Sequence, residues 1–163
     1  MFNRLFKSTP HLSRPLFDIS HIIYDNDSTD KRQALAFIAR NVMQAGYVRS
    51  DTVFLNDLLA REAQSSTGFK DAIATPHAKS KQVLHAGIWV CQFSHHIAWE
   101  TMDEKPVKVA VALLIPATND QAAMLPLISI SRANMRDDFR RILTSEQPNE
   151  IDQAILRAIE GTR

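Results

Sequence analysis

Hydrophobic and polar positions in the first half of the chain follow one strand-like and two helix-like patterns. Residues 19–24 form a β-branched apolar run that ends at a polar turn, which predicts a strand followed by a turn. Over residues 31–45 the apolar positions recur every three or four residues, as in a helix that buries one face. Gly46 stands where a glycine commonly ends a helix. A second helical pattern begins at Ser50–Asp51 and ends near residue 63.

The second half of the pattern begins with strands and ends with helices. A short extended segment over residues 72–77, interrupted by Pro76, precedes two continuous apolar runs, 87–93 and 107–115. Runs without alternation are typical of strands that are covered on both faces. Three helical stretches follow, and Pro148 suits the first turn of the last one. A strand, two helices, about three strands and three helices predict a three-layer α/β/α sandwich around a mixed, mostly buried sheet of four or five strands.

Length and composition are those of one globular domain. The chain has 163 residues, of which 45% are hydrophobic and 23% charged, so disordered, collagen-like and coiled-coil chains are excluded. We predict that the domain covers residues 17–163. Residues 1–16 contain basic and apolar side chains, but no apolar run of seven or more follows, so they are not a secretory signal. We expect a flexible extension there, with a weak membrane or partner anchor as the alternative.

The charge, cysteine and glycine counts exclude several function classes. The net charge is +1, so the chain has no broad basic field for nucleic acid. A single cysteine, Cys91, excludes a disulfide framework and favours a cytoplasmic location. The four glycines are too far apart for a dinucleotide-binding turn or a Walker A loop, so we expect no nucleotide cofactor. No stretch is long and apolar enough for a transmembrane helix.

Six histidines suggest a metal site, but their spacing does not support one. The chain has no HExxH motif, and the adjacent His95 and His96 would point to opposite sides of an extended segment. Cys91 lies inside an apolar run and is interpreted as a small core residue. The GxSxG motif of serine hydrolases is missing as well. We therefore expect no metal, and only His77 is singled out for chemistry.

The neighbours of His77 distinguish it from the other histidines. Pro76 restricts the backbone in front of it, so the imidazole is held in one place at a sheet edge. Upstream lie Arg61 and the hydroxyl-bearing residues 65–67, which are donors of the kind that a phosphoryl group requires. A neutral imidazole also offers a nucleophilic nitrogen at physiological pH. These residues by themselves support a phosphohistidine and a structural, strand-ending histidine about equally.

Three segments around His77 together resemble a known protein family. They are Leu58-Leu59-Ala60-Arg61-Glu62, Ser66-Thr67-Gly68 and the run from Ala72 to Lys79. This combination is similar to the enzyme IIA domains of the bacterial sugar phosphotransferase system, in the mannitol/fructose class that includes the nitrogen-regulatory IIA protein. The resemblance extends to a GYV segment at 46–48 and a D-x-x-PV segment at 103–107, and it spans about residues 17–160.

The resemblance implies a phosphocarrier. His77 would accept a phosphoryl group from the phosphohistidine of an HPr-like carrier protein and pass it to a IIB domain, which carries a cysteine in this class. Arg61 matches the family's active-site arginine and would neutralise the phosphate, while Ser66 and Thr67 would bind its oxygens. Such transfer depends mainly on positioning and charge stabilisation, so no cofactor, nucleic acid or membrane insertion is implied.

The chain departs from the family pattern at one position that bears on its role. The family has a second histidine in an HL pair after the last strand, and counting on from Pro116 puts Ala123 and Met124 there. A regulatory protein, whose binding to a target protein is switched by phosphorylation of His77, is therefore the alternative, together with a relative that is not phosphorylated. The Pro-His-Ala-Lys segment resembles the sugar-transport class more closely, which favours the phosphocarrier.

Overall fold

The computed structural model describes residues 14–161, in which helices cover both faces of a five-stranded sheet. The strands are β1 (Ile22–Asp25), β2 (Ile73–Ala74), β3 (His77–Ser80), β4 (Gly87–Ile97) and β5 (Val107–Pro116). The helices of this part of the chain are α1 (Lys31–Gln44), α2 (Asp51–Gln64), α3 (Gln121–Ala133), α4 (Asp137–Leu143) and α5 (Pro148–Glu160).

Strand β5 organises the sheet because it pairs on both sides. It runs antiparallel to β4 on one side and parallel to the shorter β2 and β3 on the other. Strand β1 lies parallel to β4 at the opposite edge. Parallel and antiparallel pairs therefore share one sheet, which confirms the mixed sheet predicted from the sequence.

Two separate hydrophobic cores explain the continuous apolar runs of β4 and β5. Helices α1 and α2 cover one face of the sheet, where Phe54 and Leu58 are fully buried. Helices α3, α4 and α5 cover the other face, where Ile130 and Phe139 are buried. Successive residues of a strand point to opposite faces, so the residues of β5 from Val109 to Ile115 alternate between the two cores. The predicted three-layer α/β/α sandwich is thus confirmed.

Several helix ends lie close to the positions that the sequence signals predict, although α1 is capped by Asp30 and not by Ser28 or Thr29. The side chain of Asp30 accepts the N–H of Gln33 at 2.8 Å and so caps α1. Ser50 caps α2 in the same way, and Pro148 occupies the first turn of α5. Gly46 follows α1 with φ of +82°, a conformation that glycine adopts without steric cost.

The first strand is shorter than its apolar run suggests. Ile19–His21 form a single 3₁₀ turn, and the strand begins only at Ile22. The Asp18 carboxylate causes this difference, since it accepts the N–H of Ser20 at 2.9 Å and caps the turn.

Residues 14–16 contact the domain directly. The Tyr47 hydroxyl donates to the Pro15 carbonyl at 2.5 Å, and the Ile88 N–H donates to the Leu16 carbonyl at 2.8 Å. The flexible extension was expected over residues 1–16, and residues 1–13 of it lie outside the described residues. Every helix within residues 14–161 is too short or too polar to cross a lipid bilayer.

A buried arginine holds the loop that leads into β2. Arg140 of α4 is 0% exposed, and its Nε donates to Asp71 Oδ2 at 2.9 Å. Its Nη1 donates to the Asn134 carbonyl at 2.8 Å, and its Nη2 donates to the Asp137 carboxylate. Asp71 and Ala72 both have positive φ, +57° and +65°, a backbone conformation that residues other than glycine rarely adopt. Arg140 therefore fastens a strained turn to the C-terminal helices.

His21 lies inside an aromatic cluster with Phe17, Tyr47 and Trp89. Its ring stacks on Trp89 with centroids 4.1 Å apart, and Nδ1 lies 2.9 Å from the Ile88 carbonyl. Nε2 lies 3.1 Å from the Tyr47 hydroxyl. Burial lowers the pKa of His21 below its usual 6.5, because the charged imidazolium is poorly solvated in this cluster.

The lowered pKa of His21 predicts that the folded protein becomes less stable as the pH is lowered. Between pH 6.5 and the lower pKa of the folded protein, the unfolded chain binds a proton that the folded chain does not. The free energy of unfolding should therefore fall as the pH is lowered from 7.5 to 5.5, and urea denaturation at both pH values measures it. The loss should be smaller in His21→Asn but unchanged in His96→Asn, since His96 is exposed. An equal loss of unfolding free energy in the unmodified protein, His21→Asn and His96→Asn would contradict the assignment of this pH dependence to His21.

Candidate functional site

His77 is the first residue of β3 and lies at an edge of the sheet. It pairs with Leu113 of β5, and its side chain is half-buried. The sequence predicted one extended segment that ends at this histidine. In the structure Pro76, which has no N–H to contribute to a ladder, separates β2 from β3, so the histidine opens a strand instead of closing one. The sheet-edge position is as expected.

Hydrogen bonds on both nitrogens fix the orientation of the His77 ring. Nδ1 lies 2.8 Å from the Thr75 carbonyl, and a carbonyl oxygen can only accept, so Nδ1 carries the proton. The lone pair of the neutral ring is then on Nε2, which accepts the Nε–H of Arg61 at 3.2 Å. The structure thus brings together His77 and Arg61, the two residues predicted to do the chemistry.

Arg61 reaches the ring from the last turn of α2. Its Nη1 donates to the Ser65 carbonyl at 2.9 Å and contacts the Ser65 hydroxyl at 3.4 Å. These contacts hold the guanidinium at the C-terminal end of the helix, where a positive charge is favoured by the helix dipole. Nη2 makes no hydrogen bond to the described residues, so it is available to an anion at Nε2.

Ser66 and Thr67 lie in the loop after α2, and both hydroxyls already donate hydrogen bonds to other groups of the protein. Ser66 donates to the Glu100 carbonyl at 2.5 Å. Thr67 is buried, and its hydroxyl donates to the Glu62 carboxylate. Their contact with phosphate oxygens therefore stays a prediction, and it requires these hydroxyls to turn away from their present partners. Gly68 completes the loop, because a Cβ atom there would lie 2.0 Å from the Glu100 oxygen.

Glu62 is a buried carboxylate that the sequence analysis did not single out. Its oxygens accept both the hydroxyl and the N–H of Thr67, the latter at 3.2 Å, and the Lys31 ammonium lies 3.7 Å away. A helical signal could have revealed it, since Glu62 lies one turn after Leu58 on the buried face of α2. Acidic residues are rarely buried without partners, so a buried glutamate indicates a specific interaction with polar groups around it.

A small apolar cavity of about 150 Å³ opens beside His77. Its lining residues come from β3, β5 and α3, and they are Thr75, His77, Leu113, Ile115, Met124, Leu127, Ile128 and Ser131. Met124, which stands at the second position of the family's HL pair, therefore lines the same cavity as His77. Ala123 lines a different, larger groove of about 720 Å³ that does not include His77.

The other histidines within residues 14–161 do not join this site. His95 and His96 are exposed on β4, and His21 is buried in its aromatic cluster. Within residues 14–161, no group of three or more histidine, cysteine, aspartate or glutamate side chains could hold a metal ion. Cys91 is buried, and burial raises the pKa of its thiol well above the usual range, as for a core residue.

Sequence comparison identifies similar proteins over nearly the whole chain. A family model described as "Phosphoenolpyruvate-dependent sugar phosphotransferase system, EIIA 2" matches residues 15–158. The fructose-specific EIIA component of Haloferax volcanii is 28% identical over 131 residues, which cover 80% of this chain and 85% of that protein. Multiphosphoryl transfer protein 1 of Escherichia coli K12 is 26% identical over 147 residues. That match covers 90% of this chain but only 17% of the longer protein.

Solved structures share the fold. Nitrogen regulatory protein IIA-Ntr from Neisseria meningitidis superposes with a TM-score of 0.74 and 21% identity, covering 86% of this chain and 96% of that chain. The complex of enzyme IIAMTL and phosphorylated enzyme IIBMTL from Escherichia coli contains a chain with a TM-score of 0.65 and 17% identity. That match covers 89% of this chain and 97% of the other.

The hydrogen bonds of His77 predict one ring tautomer. The neutral ring should carry its proton on Nδ1, because the Thr75 carbonyl accepts there and Arg61 donates to Nε2. Nitrogen-15 spectra of the imidazole at pH 8 distinguish the two tautomers, and exposed His95 provides an internal control. A ring that carries its proton on Nε2 would contradict the geometry.

Proposed function

Because the chain belongs to the EIIA 2 family of the phosphoenolpyruvate-dependent sugar phosphotransferase system, we propose that it is a phosphocarrier with His77 as the acceptor. The phosphoryl group comes from the phosphohistidine of an HPr-like protein and leaves to a IIB domain. The observation that carries this proposal is the 3.2 Å contact between the Arg61 Nε and the His77 Nε2, which places a cation at the nucleophilic nitrogen.

The geometry supports a simple in-line transfer. The Nε2 lone pair attacks phosphorus, the Nε2–P bond forms, and the N–P bond to the donor imidazole breaks. The Nδ1 proton stays on the ring, held by the Thr75 carbonyl at 2.8 Å. No general base is needed, because the attacking nitrogen carries no proton.

Arg61 has two successive roles in this proposal. Before transfer its Nε–H covers the Nε2 lone pair, so the guanidinium must move aside as the phosphoryl group approaches. It then donates to the phosphoryl oxygens, which bear the charge throughout the transfer. Ser66 and Thr67 are proposed as further donors to these oxygens, once their hydroxyls leave Glu100 and Glu62.

The apolar surface beside His77 is suited to docking two partners in turn. Met124 lines the cavity, and Leu125 and Ile128 of the same helix are 52% and 41% exposed. A small apolar patch of this kind favours a transient interface, from which a carrier can leave after each transfer. The cytoplasmic location expected from the single cysteine remains part of the proposal.

Met124 supports a second candidate function. Ala123 stands where the family pattern has an assisting histidine, the next residue Met124 lines the cavity beside His77, and no other imidazole lines that cavity. Slow transfer of the phosphoryl group would suit a regulatory protein, whose binding to a target changes with the charge on His77. Discharge of the label by added IIB domains favours the carrier, whereas a label that persists in their presence favours the regulatory protein.

Labelling with phosphoenolpyruvate, enzyme I and HPr tests His77 as the acceptor. One phosphate should be added per chain, stable to base and labile to acid as a phosphoramidate is, and mass spectrometry measures it. His77→Ala should abolish the label, because it removes the nucleophile. The control His95→Ala changes an exposed histidine of β4 and should label normally. A label that persists in His77→Ala would refute the site.

Replacement of Arg61 tests the role of the guanidinium. Arg61→Ala should slow labelling at saturating donor by about 100-fold, as expected for the loss of a donor to the transferred group. Arg40→Ala is the matched control, since Arg40 is exposed on the neighbouring helix α1. Quenched-flow measurement of the phosphorylated fraction gives both rates. Unchanged kinetics in Arg61→Ala would remove this residue from the mechanism.

A further inference from the structure

A continuous series of hydrogen bonds joins the buried carboxylate of Glu62 to the His77 ring. Glu62 accepts the N–H of Thr67 at 3.2 Å and also its hydroxyl. The Thr67 carbonyl accepts the N–H of Thr75 at 3.0 Å and lies 3.4 Å from its hydroxyl. The Thr75 carbonyl accepts the Nδ1 proton of His77 at 2.8 Å. Each hydrogen bond in this series therefore involves a residue that the preceding hydrogen bond already holds in place.

Two features make this series stiff. Before any phosphoryl group arrives, Thr67 donates both its N–H and its hydroxyl to one carboxylate, so both its position and its rotation are fixed. Thr75 precedes Pro76, which restricts it to extended backbone, so its carbonyl has few directions available. The direction of that carbonyl decides which way the His77 ring faces.

The environment of Glu62 indicates that its contacts are specific. Glu62 is 8% exposed, and its partners besides Thr67 are the Lys31 ammonium at 3.7 Å and, through Lys31, the ring of Trp99. A buried carboxylate with an unpaired oxygen would be costly, and here both oxygens are satisfied. The carboxylate also belongs to the residue next to Arg61, so α2 delivers both the cation and the support of the imidazole.

We propose that Glu62 is a positioning residue for His77. Through Thr67 and Thr75 it keeps the imidazole proton on Nδ1 and aims Nε2 at the guanidinium of Arg61. The expected effect of Glu62 on phosphoryl transfer rests on the proposed function. Its expected effect on the tautomer of the His77 ring does not. A residue that supports a reactive histidine from one shell further out typically changes activity by about 10- to 100-fold.

Glu62→Gln is the informative variant, because it keeps the size of the side chain. A glutamine has one acceptor oxygen, and its NH₂ group faces one of the two Thr67 donors without accepting it. We expect a smaller fraction of the Nδ1-protonated tautomer in the nitrogen-15 spectrum of His77. We also expect labelling at saturating donor to slow by about tenfold, with the KM for HPr changed by less than about twofold.

Asp57→Asn is the matched control. Asp57 is an acidic residue of the same helix, and it accepts the hydroxyl of Ser80, a residue of the same strand as His77, at 2.5 Å. It has no link to Thr75. Both the ring spectrum and the labelling rate of Asp57→Asn should stay within about twofold of the unmodified protein. A purely structural role of Glu62 would lower the melting temperature without altering the tautomer.

The outcomes separate this inference from the proposed function. A folded Glu62→Gln protein with an unchanged His77 spectrum overturns the positioning role, whatever the labelling shows. If Glu62→Gln does not fold, the spectrum of Thr67→Val decides, because valine matches threonine in shape and removes only the hydroxyl. A tautomer that changes as expected in Glu62→Gln, together with an unmodified protein that phosphorylated HPr does not label, supports the positioning role and refutes the phosphocarrier.

Discussion

The hydrogen bond between His77 Nδ1 and the Thr75 carbonyl determines what this site can do. It leaves the lone pair on Nε2, the nitrogen that faces Arg61. An imidazole that turned over would present an N–H to an incoming phosphorus atom and a lone pair to a carbonyl oxygen. The rest of the local structure, from the restricted backbone before Pro76 to the packed loop after α2, serves to keep this one contact in place.

The fold places opposite requirements on the two sides of His77. On one side the ring needs charge and polar donors, which come from the end of α2 and the loop that follows it. On the other side it needs an apolar surface, which comes from β5 and α3. A sheet edge between two layers of helices satisfies both, because each layer contributes one side. A histidine in the centre of the sheet would have been covered by both cores.

The sequence predicted the layers of the fold well, because apolar periodicity reports which face of each element is buried. The proximity of Arg61 and His77 was also expected, through the family resemblance of the segments that carry them. Glu62 was missed because its charge argued for the surface, whereas its helical position placed it inside. The present partners of Ser66 and Thr67 could not be read from the sequence either, since they depend on where residue 100 and the turns of α2 meet in space.

Arg140 has a consequence for the order in which the chain can assemble. It lies 63 residues after His77 in the sequence, yet its guanidinium secures the turn at Asp71 and Ala72 that leads into the strand before that histidine. During synthesis from the N-terminus, the histidine emerges from the ribosome long before the helix that fastens its supporting turn. The finished geometry is therefore a late product of translation, and a nascent chain that ends before α4 has a histidine without a completed frame.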